Sequence, residues 1–420
     1  MQKKKKKPET QRTSPIVAVA PHPQADVFVD NIVRVIGNFG FQQILLPAVE
    51  ERQIFEKSPT LSRLYGENFL GVHKPAETEM ILAPTKLPTI ISRYVRNVKS
   101  MGPHVSKWFY MSPVLRFEND KYVSAHELGL YVLGEDSPLG TAQLINTTAE
   151  IFRALGTIQF VVQINSLGCV SCQEDYTDLL SSHLAMGAGR LCSDCEVDFE
   201  KNPLVMWSCV NANCRTLVET LPPVIDSLDD SCKSNLTRVL ESIDELNIPY
   251  TLTPALVPQF LRHQIVFQIS PADNSGNPIG YGGNFSELAL ELDGNEPTPI
   301  LGMLTTFEKL VSAVPEEHRR QGPKIEVFMV PLGSVATRKA LALHRDLQHS
   351  GILAAEAMLT SPSIRNQLKV AAEKKCEIAL IIGQKEAIDE TVILRDMRSG
   401  MQEIFAADRI IDEVKKRLGK

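Results

Sequence analysis

The sequence has no apolar run approaching the roughly 18–20 residues that a membrane-spanning helix needs, so a membrane protein of helical type is not expected. It also lacks an excess of positive charge. Its 44 Lys and Arg against 50 Asp and Glu leave a net charge of −6, and only a local basic patch could serve a nucleic acid. The lysine run in MQKKKKKPETQRTSP has no apolar core of signal-peptide type behind it, because IVAVAPHP is short and broken by proline. A cytoplasmic address and a disordered basic tail are the expectations. Internal repeats and low-complexity core segments are absent, and Gly282-Gly283 lacks the longer glycine pattern of a phosphate loop, so it reads as a turn or a close backbone approach.

What is present is an ordinary globular chain. Its 420 residues suggest two or three domains, and 43% hydrophobic with 22% charged residues is enough for sizeable cores. Residues 25–39 place Val29, Ile32, Val33 and Ile36 at helical spacing, ending at Gly40. FQQILLPAV, residues 41–49, reads as an edge or interface strand because it carries Pro47. The helix EERQIFEKS, an extended element over 75–83 and the basic amphipathic helix TIISRYVRNVKS follow. Strand patterns recur at TIQFVVQIN, HQIVFQISP and NPIGYGGNFSELALEL, and LGMLTTFEKLVSAV runs from a strand end into a helix. After the polar linker PEEHRRQGPK the pattern becomes β-α-β-α, ending in the strand TVILRDM and the helix ADRIIDEVKKRLG. That alternation predicts a small α/β domain with a largely parallel sheet.

Between these lies KWFYMSPVLRFENDKYVSAHELGLYVLGED, residues 107–136, two apolar runs flanking the polar stretch NDKYVSA. The pattern predicts an antiparallel strand pair with a medium-length connection. Period-2 alternation places Val114, Arg116 and Glu118 on one face of the first strand, and Glu127, Gly129 and Tyr131 on one face of the second. An Arg and a Glu two residues apart on an apolar strand can hold a phosphate and a base, or form a solvated edge ion pair.

Six of the eight cysteines fall between Cys169 and Cys214, in a stretch of changed composition running from about 169 to 250. Cys169-x2-Cys172 and Cys192-x2-Cys195 have nineteen residues between them, the spacing of a four-thiolate zinc site. Cys209 and Cys214 form a looser third pair that could replace one knuckle, and buried free thiols are the competing reading. Cys232 and Cys376 read as plain core or surface residues. His126 falls on the face opposite Glu127 and reads as structural. Arg365, Lys369, Lys374 and Lys375 lie on or beside one helix, as a solvated face or as an RNA-backbone contact.

INSLGCVSCQEDY, LCSDCEVDFEKNPL and SCVNANC, the first-motif stretch FGFQQILLPAVEERQIF, the second-motif stretch PVLRFE, and the C-terminal run with Gly383, Glu386, Asp396, Gly400 and Gln402 together resemble the histidyl-tRNA synthetase family of class II aminoacyl-tRNA synthetases. The resemblance covers nearly the whole chain after the basic tail. It implies an α+β fold. Residues 1–15 would be a tail, residues 16–165 and 251–315 an antiparallel-sheet catalytic core, residues 166–250 a cysteine-bearing insertion, and residues 324–420 an anticodon-binding-like α/β domain. It also implies a homodimer through the segment bearing Pro47 and tRNA as partner.

The family activates histidine with ATP and Mg²⁺, and several residues that do so are replaced here. Its substrate-binding LRPEGT stretch is Leu82-Ala83-Pro84-Thr85-Lys86-Leu87. An Arg, a Gln and a Glu of the second hairpin strand have become Val123, Glu127 and Tyr131. The histidine-specific Arg falls on Val257 or Pro258, with Arg262 and His263 as conceivable substitutes, and the nucleotide-clamping Arg is Lys309. Arg116 and Glu118 are the retained catalytic pair, with Thr85, Glu127, Tyr131 and Lys309 as pocket residues and Cys169, Cys172, Cys192 and Cys195 as the metal set. The resemblance therefore implies a tRNA-binding or regulatory paralogue. The alternatives are an active histidine–tRNA ligase using ATP and Mg²⁺, and a synthetase-like regulatory subunit of ATP phosphoribosyltransferase. ATP and Mg²⁺ enter only in the active reading, whereas zinc on the cysteines is independent of it.

Overall fold

The computed structural model describes residues 16–17, 25–66, 69–72, 79–101, 104–118, 120–156, 159–185, 191–199, 203–209, 211–258, 261, 263–272, 277–293, 298–316, 325–356 and 363–420. The chain divides into two compact units, Met1–Arg319 and Arg320–Lys420. The expected basic tail, the linker over 317–324 and Arg262 lie outside the described residues.

A nine-stranded sheet organises the first unit. In spatial order its path runs Gln42–Gln43, Ser106–Glu118, Lys121–Leu133, Ile300–Thr306, Gly280–Asn284, Ile265–Pro271, Phe160–Ser166 and Tyr250–Leu252. The six central strands pair antiparallel. Alternation along Lys121–Leu133 explains why the sheet is buried on both faces. Leu128, Leu130 and Val132 enter one core with Phe109, Ile32 and Ile145, while Tyr131 and Leu133 enter a second with Tyr110, Ile90 and Phe285. The helices Ala25–Asn38, Pro138–Ala154 and Asp230–Glu245 contribute to the first core. Leu87–Met101 supplies Leu87, Ile90, Ile91, Tyr94 and Val95 to the second.

The long hairpin has a tighter turn than the polar stretch predicts. Lys121 already pairs with Glu118, Val123 with Arg116 and Glu127 with Ser112, so YVSA belongs to the strand. Asp120 takes φ 61°, a left-handed conformation that short polar side chains tolerate. The polar residues that suggested a loop are the outer end of a strand.

FQQILLPAV is likewise not one strand. Gln42–Gln43 joins the large sheet, whereas Val49–Glu51 joins a three-stranded sheet with Met80–Leu82 and Leu70–Val72. Pro47 lies between the two and cannot donate to either ladder. SELALEL is helical over Ser286–Asp293 and not extended. Leu288 and Ala289 are buried, Leu292 packs beside them one turn on, and Glu291 binds Ser58 and Thr60 through its carboxylate.

From the strand Phe160–Ser166 the chain leaves the sheet through the helices Val170–Ala185, Ser193–Asp198 and Ala212–Val218, then Asp230–Glu245, and returns at Tyr250–Leu252. The departing and returning strands are parallel neighbours, Val162 opposite Tyr250.

The second unit holds a five-stranded sheet in the order Ala354–Glu356, Val327–Pro331, Ile378–Ile382, Thr391–Asp396 and Gln402–Ala406. The first two pairings are parallel and the last two antiparallel, so the sheet is mixed and not largely parallel. The sequence reading missed Gln402–Ala406 because its residues alternate between exposed and half-buried and carry little apolar signal. Its turn is built by motif residues: Asp396 accepts the backbone N–H groups of Arg398 (2.9 Å) and Ser399 (2.7 Å), and Gly400 sits at φ 75°. Glu386 caps its helix by accepting the N–H of Gly383 at 3.0 Å.

Candidate active site

A cavity of about 620 Å³ opens on the second-core face of the large sheet. Its wall includes Thr85, Arg116, Phe117, Glu118, Glu127, Gln268 and Tyr281, closed on other sides by Leu61, Tyr65, Val257 and Pro258. Thr85, Arg116, Glu118 and Glu127 thus come together. Arg116 reaches along its face of the hairpin past Val114 and Ala125 to Glu127, four residue pairs away in the register.

Glu127 is the electrostatic centre. Its carboxylate is buried and fully used: Oε1 accepts from Thr85 Oγ1 (3.0 Å), the Lys86 amide (2.8 Å) and Tyr110 Oη (2.8 Å), and Oε2 takes Arg116 Nη2 at 2.5 Å. Four donors match the roughly four acceptor sites of a carboxylate. Arg116 also donates Nε to the Pro84 carbonyl at 3.0 Å. Burial works to lower the basicity of Arg116, but the Glu127 carboxylate together with the nearby Tyr65 and Tyr281 outweighs it and holds the guanidinium charged. The charge that could meet a phosphate is therefore already met from within the fold. Burial also pushes the Tyr65 phenol on the cavity wall up to about 12, so it stays neutral.

Tyr131 and Lys309 are not among the cavity-lining residues. Tyr131 is fully buried, its ring 6.0 Å from that of Tyr110 and nearly parallel to it, and it leans on Phe285 at 6.1 Å. Two glycines make room for these rings. A Cβ on Gly129 would lie 2.6 Å from the Tyr110 ring, and one on Gly302 would lie 2.7 Å from Tyr131. Lys309 donates Nζ to the Pro278 carbonyl at 3.2 Å and rests over the Tyr281 ring, so it touches the wall from behind. His263, offered as a substitute for the missing Arg, is also absent from the lining and pairs with Glu287 at 2.6 Å. His126 lies on the opposite face from Glu127, exposed and bound to Glu308 at 3.0 Å.

Lys86 stands apart from the cavity. Its side chain is wholly buried, with Nζ 2.5 Å from the Pro47 carbonyl, 3.2 Å from that of Ala48 and 3.5 Å from Glu50 Oε1. Burial lowers the Lys86 ammonium and raises the Glu50 carboxyl relative to their ordinary values.

The cysteines group differently from the expected set. Cys169 and Cys172 lie with Asp229 and Cys232, whereas Cys192 and Cys195 lie with Cys209 and Cys214. The reason is the helix Val170–Ala185. Its 16 residues span about 24 Å and carry the chain away between the two knuckles. Cys232, read as a plain residue, belongs to a cluster, while Cys376 is buried outside both.

The antiparallel sheet bearing an Arg-Glu hairpin pocket, with a separate mixed α/β unit after it, defines a class II aminoacyl-tRNA synthetase fold. Residues 326–417 match the family model described as "Anticodon binding domain". The chain is 28% identical over 383 residues to a histidine–tRNA ligase of Syntrophotalea carbinolica, covering 90% of this chain and 91% of that one. Its fold matches apo Staphylococcus aureus histidyl-tRNA synthetase with a TM-score of 0.73 at 21% identity, over 95% of this chain and 100% of the other. A Bacillus halodurans protein described as an ATP phosphoribosyltransferase regulatory subunit/histidyl-tRNA synthetase shares the fold more loosely, with a TM-score of 0.59 at 13% identity, over 86% and 94% of the two chains. Over nearly its whole length the chain is thus similar to histidine–tRNA ligases, and its fold is theirs.

Proposed function

We propose that this protein is a tRNA-binding or regulatory paralogue of histidyl-tRNA synthetase whose histidine and ATP site no longer performs activation. One observation carries the reading: Arg116, the group suited to an α-phosphate, is ion-paired inside the fold to Glu127. A polyphosphate arriving there must compete with a carboxylate at 2.5 Å and then sit beside that buried charge. The histidine half supports the same reading, because Tyr131 is a packed aromatic where the family has a carboxylate, and Val257 and Pro258 line the wall where it has an Arg. Neither ATP nor Mg²⁺ has a role in this reading. Zinc concerns the insertion alone.

The match over residues 326–417 supports tRNA as the partner. A filter-binding titration is expected to show tRNA bound, with affinity falling as salt rises. Charge-neutral substitution of Arg365 and Lys369, both exposed on the helix Ile364–Glu373, is expected to reduce the salt slope by about one per residue removed. Calorimetric titration with ATP, Mg²⁺ and histidine is expected to show no binding at millimolar ligand. Absence of any tRNA binding, with a metabolic enzyme co-purifying, would favour the regulatory-subunit alternative.

A homodimer through residues 41–49 belongs to the same reading. Leu45, 83% exposed in that segment, gives it an uncovered apolar side chain. Light scattering is expected to give twice the 46.6 kDa chain mass, and Leu45→Lys to shift the protein toward one chain mass. A monomeric wild type contradicts the dimer.

A further inference from the structure

We propose that the region between Phe160–Ser166 and Tyr250–Leu252 holds two separate structural zinc ions, one on four thiolates and one on three thiolates and a carboxylate. The first site is Cys192, Cys195, Cys209 and Cys214; the second is Cys169, Cys172, Cys232 and Asp229. In each, one ligand atom from every residue lies within 4.8 Å of the others. A Zn–S bond of about 2.3 Å places two sulfurs of a tetrahedron about 3.8 Å apart. Cys192 and Cys209 stand 3.8 Å apart and Cys169 and Cys172 stand 3.6 Å apart, both too far for a disulfide and right for one shared ion. A tetrahedral edge between a sulfur and a carboxylate oxygen on zinc is about 3.5 Å, and Cys169 Sγ lies 3.3 Å from Asp229 Oδ2. A multi-iron cluster spreads its thiolates over different metal atoms, so this compactness suits a single tetrahedral ion, for which thiolate-rich sets of this geometry make zinc the proposed metal.

The backbone supports the assignment independently. Three amides aim at sulfur: Cys192 N–H at Cys214 Sγ (3.2 Å), Asn211 N–H at Cys209 Sγ (3.4 Å) and Asp229 N–H at Cys172 Sγ (3.2 Å). A thiol sulfur is a weak acceptor, whereas a metal-bound thiolate gains from such donors. Asp229 also caps the helix Asp230–Glu245, but with its other oxygen: Oδ1 accepts the Cys232 amide at 2.6 Å while Oδ2 faces Cys169. The two sites act at different places. The mixed site ties the start of Val170–Ala185, just after the chain leaves the sheet, to the start of the helix that leads back to it. The four-thiolate site closes the loop from Cys192 to Cys214. Each ion would cross-link segments whose apolar side chains, such as Tyr176, Leu217 and Leu236, already pack into the cores of this unit.

Elemental analysis of the purified full chain is expected to give two zinc per chain. Cys209→Ser and Cys232→Ser are each expected to leave one. Asp229→Asn keeps a capping oxygen and removes the carboxylate, and is expected to speed release of one zinc to a mercurial reagent while the other is unaffected. Cobalt substitution with each Ser variant separates the sites spectroscopically. The thiolate-to-metal absorption of the four-thiolate site should exceed that of the mixed site in a ratio of about four to three. If the Ser variants aggregate, mercurial release from wild type still counts two equivalents. A wild-type value of one or none, or cysteines that titrate as disulfides, overturns the two-site assignment. Unchanged zinc release from Asp229→Asn removes Asp229 from it.

Discussion

Arg116→Leu is expected to destabilise the first unit by about 3 kcal/mol, because it leaves the Glu127 carboxylate buried without its counter-ion. This is the low end of the range for breaking a buried pair. Three neutral donors, Thr85, Lys86 and Tyr110, still hold Oε1, and Arg116 itself is 23% exposed. Combining Arg116→Leu with Glu127→Gln should recover most of the loss, since a neutral amide oxygen still accepts from this donor cluster and leaves no charge to bury. A coupling of about 2 kcal/mol between the two positions is therefore expected in urea denaturation. Additive effects would show that Arg116 and Glu127 do not depend on each other. Glu127→Gln alone has a second expected outcome. It frees the guanidinium, so inorganic tripolyphosphate should bind at least about tenfold more tightly than to wild type.

Glu50→Leu is expected to be as costly, about 3–5 kcal/mol, because Lys86 is left with a wholly buried ammonium facing only two carbonyls. The double change Glu50→Leu/Lys86→Met should return to within about 1–2 kcal/mol of wild type or exceed it, since apolar groups of similar size avoid the desolvation of both charges. The pair also gives stability a pH signature. The folded-state pKa of Glu50 is raised above 4.5, so the folded chain binds that proton more tightly than the unfolded chain. Its contribution is fully present below 4.5 and is lost as pH rises through the folded value. Glu50→Gln should flatten that limb of the stability curve relative to wild type, and an unchanged limb would assign it to other groups.

Much of this fold was legible in the sequence because its strands alternate cleanly. PVLRFE and HELGLYV gave the hairpin, the shared faces of Arg116 with Glu118 and of Glu127 with Tyr131, and the place of His126 on the face opposite Glu127. What period 2 could not supply was the reach between them. Arg116 and Glu127 meet because the register sets them four pairs apart on one face, within side-chain reach, and Thr85 and Lys86 arrive from another segment to complete the carboxylate's shell. Lys86 was equally opaque: nothing in its stretch signals that its side chain is buried against Glu50 and the carbonyls of Pro47 and Ala48. SELALEL satisfies both periodicities, and it is the packing of Leu288, Ala289 and Leu292 in the second core, with Ser58 and Thr60 holding Glu291, that goes with the helix. The cysteine spacing pointed to thiolate clusters, but spacing counts residues and not distance. A helix between Cys172 and Cys192 turned one expected four-residue set into two.

The most direct test is ATP–pyrophosphate exchange on the purified wild-type chain with and without histidine. The internal Arg116–Glu127 pair and the packed Tyr131 predict no histidine-dependent exchange above background. Robust histidine-dependent exchange would contradict the account and make the chain an active ligase that works through other residues.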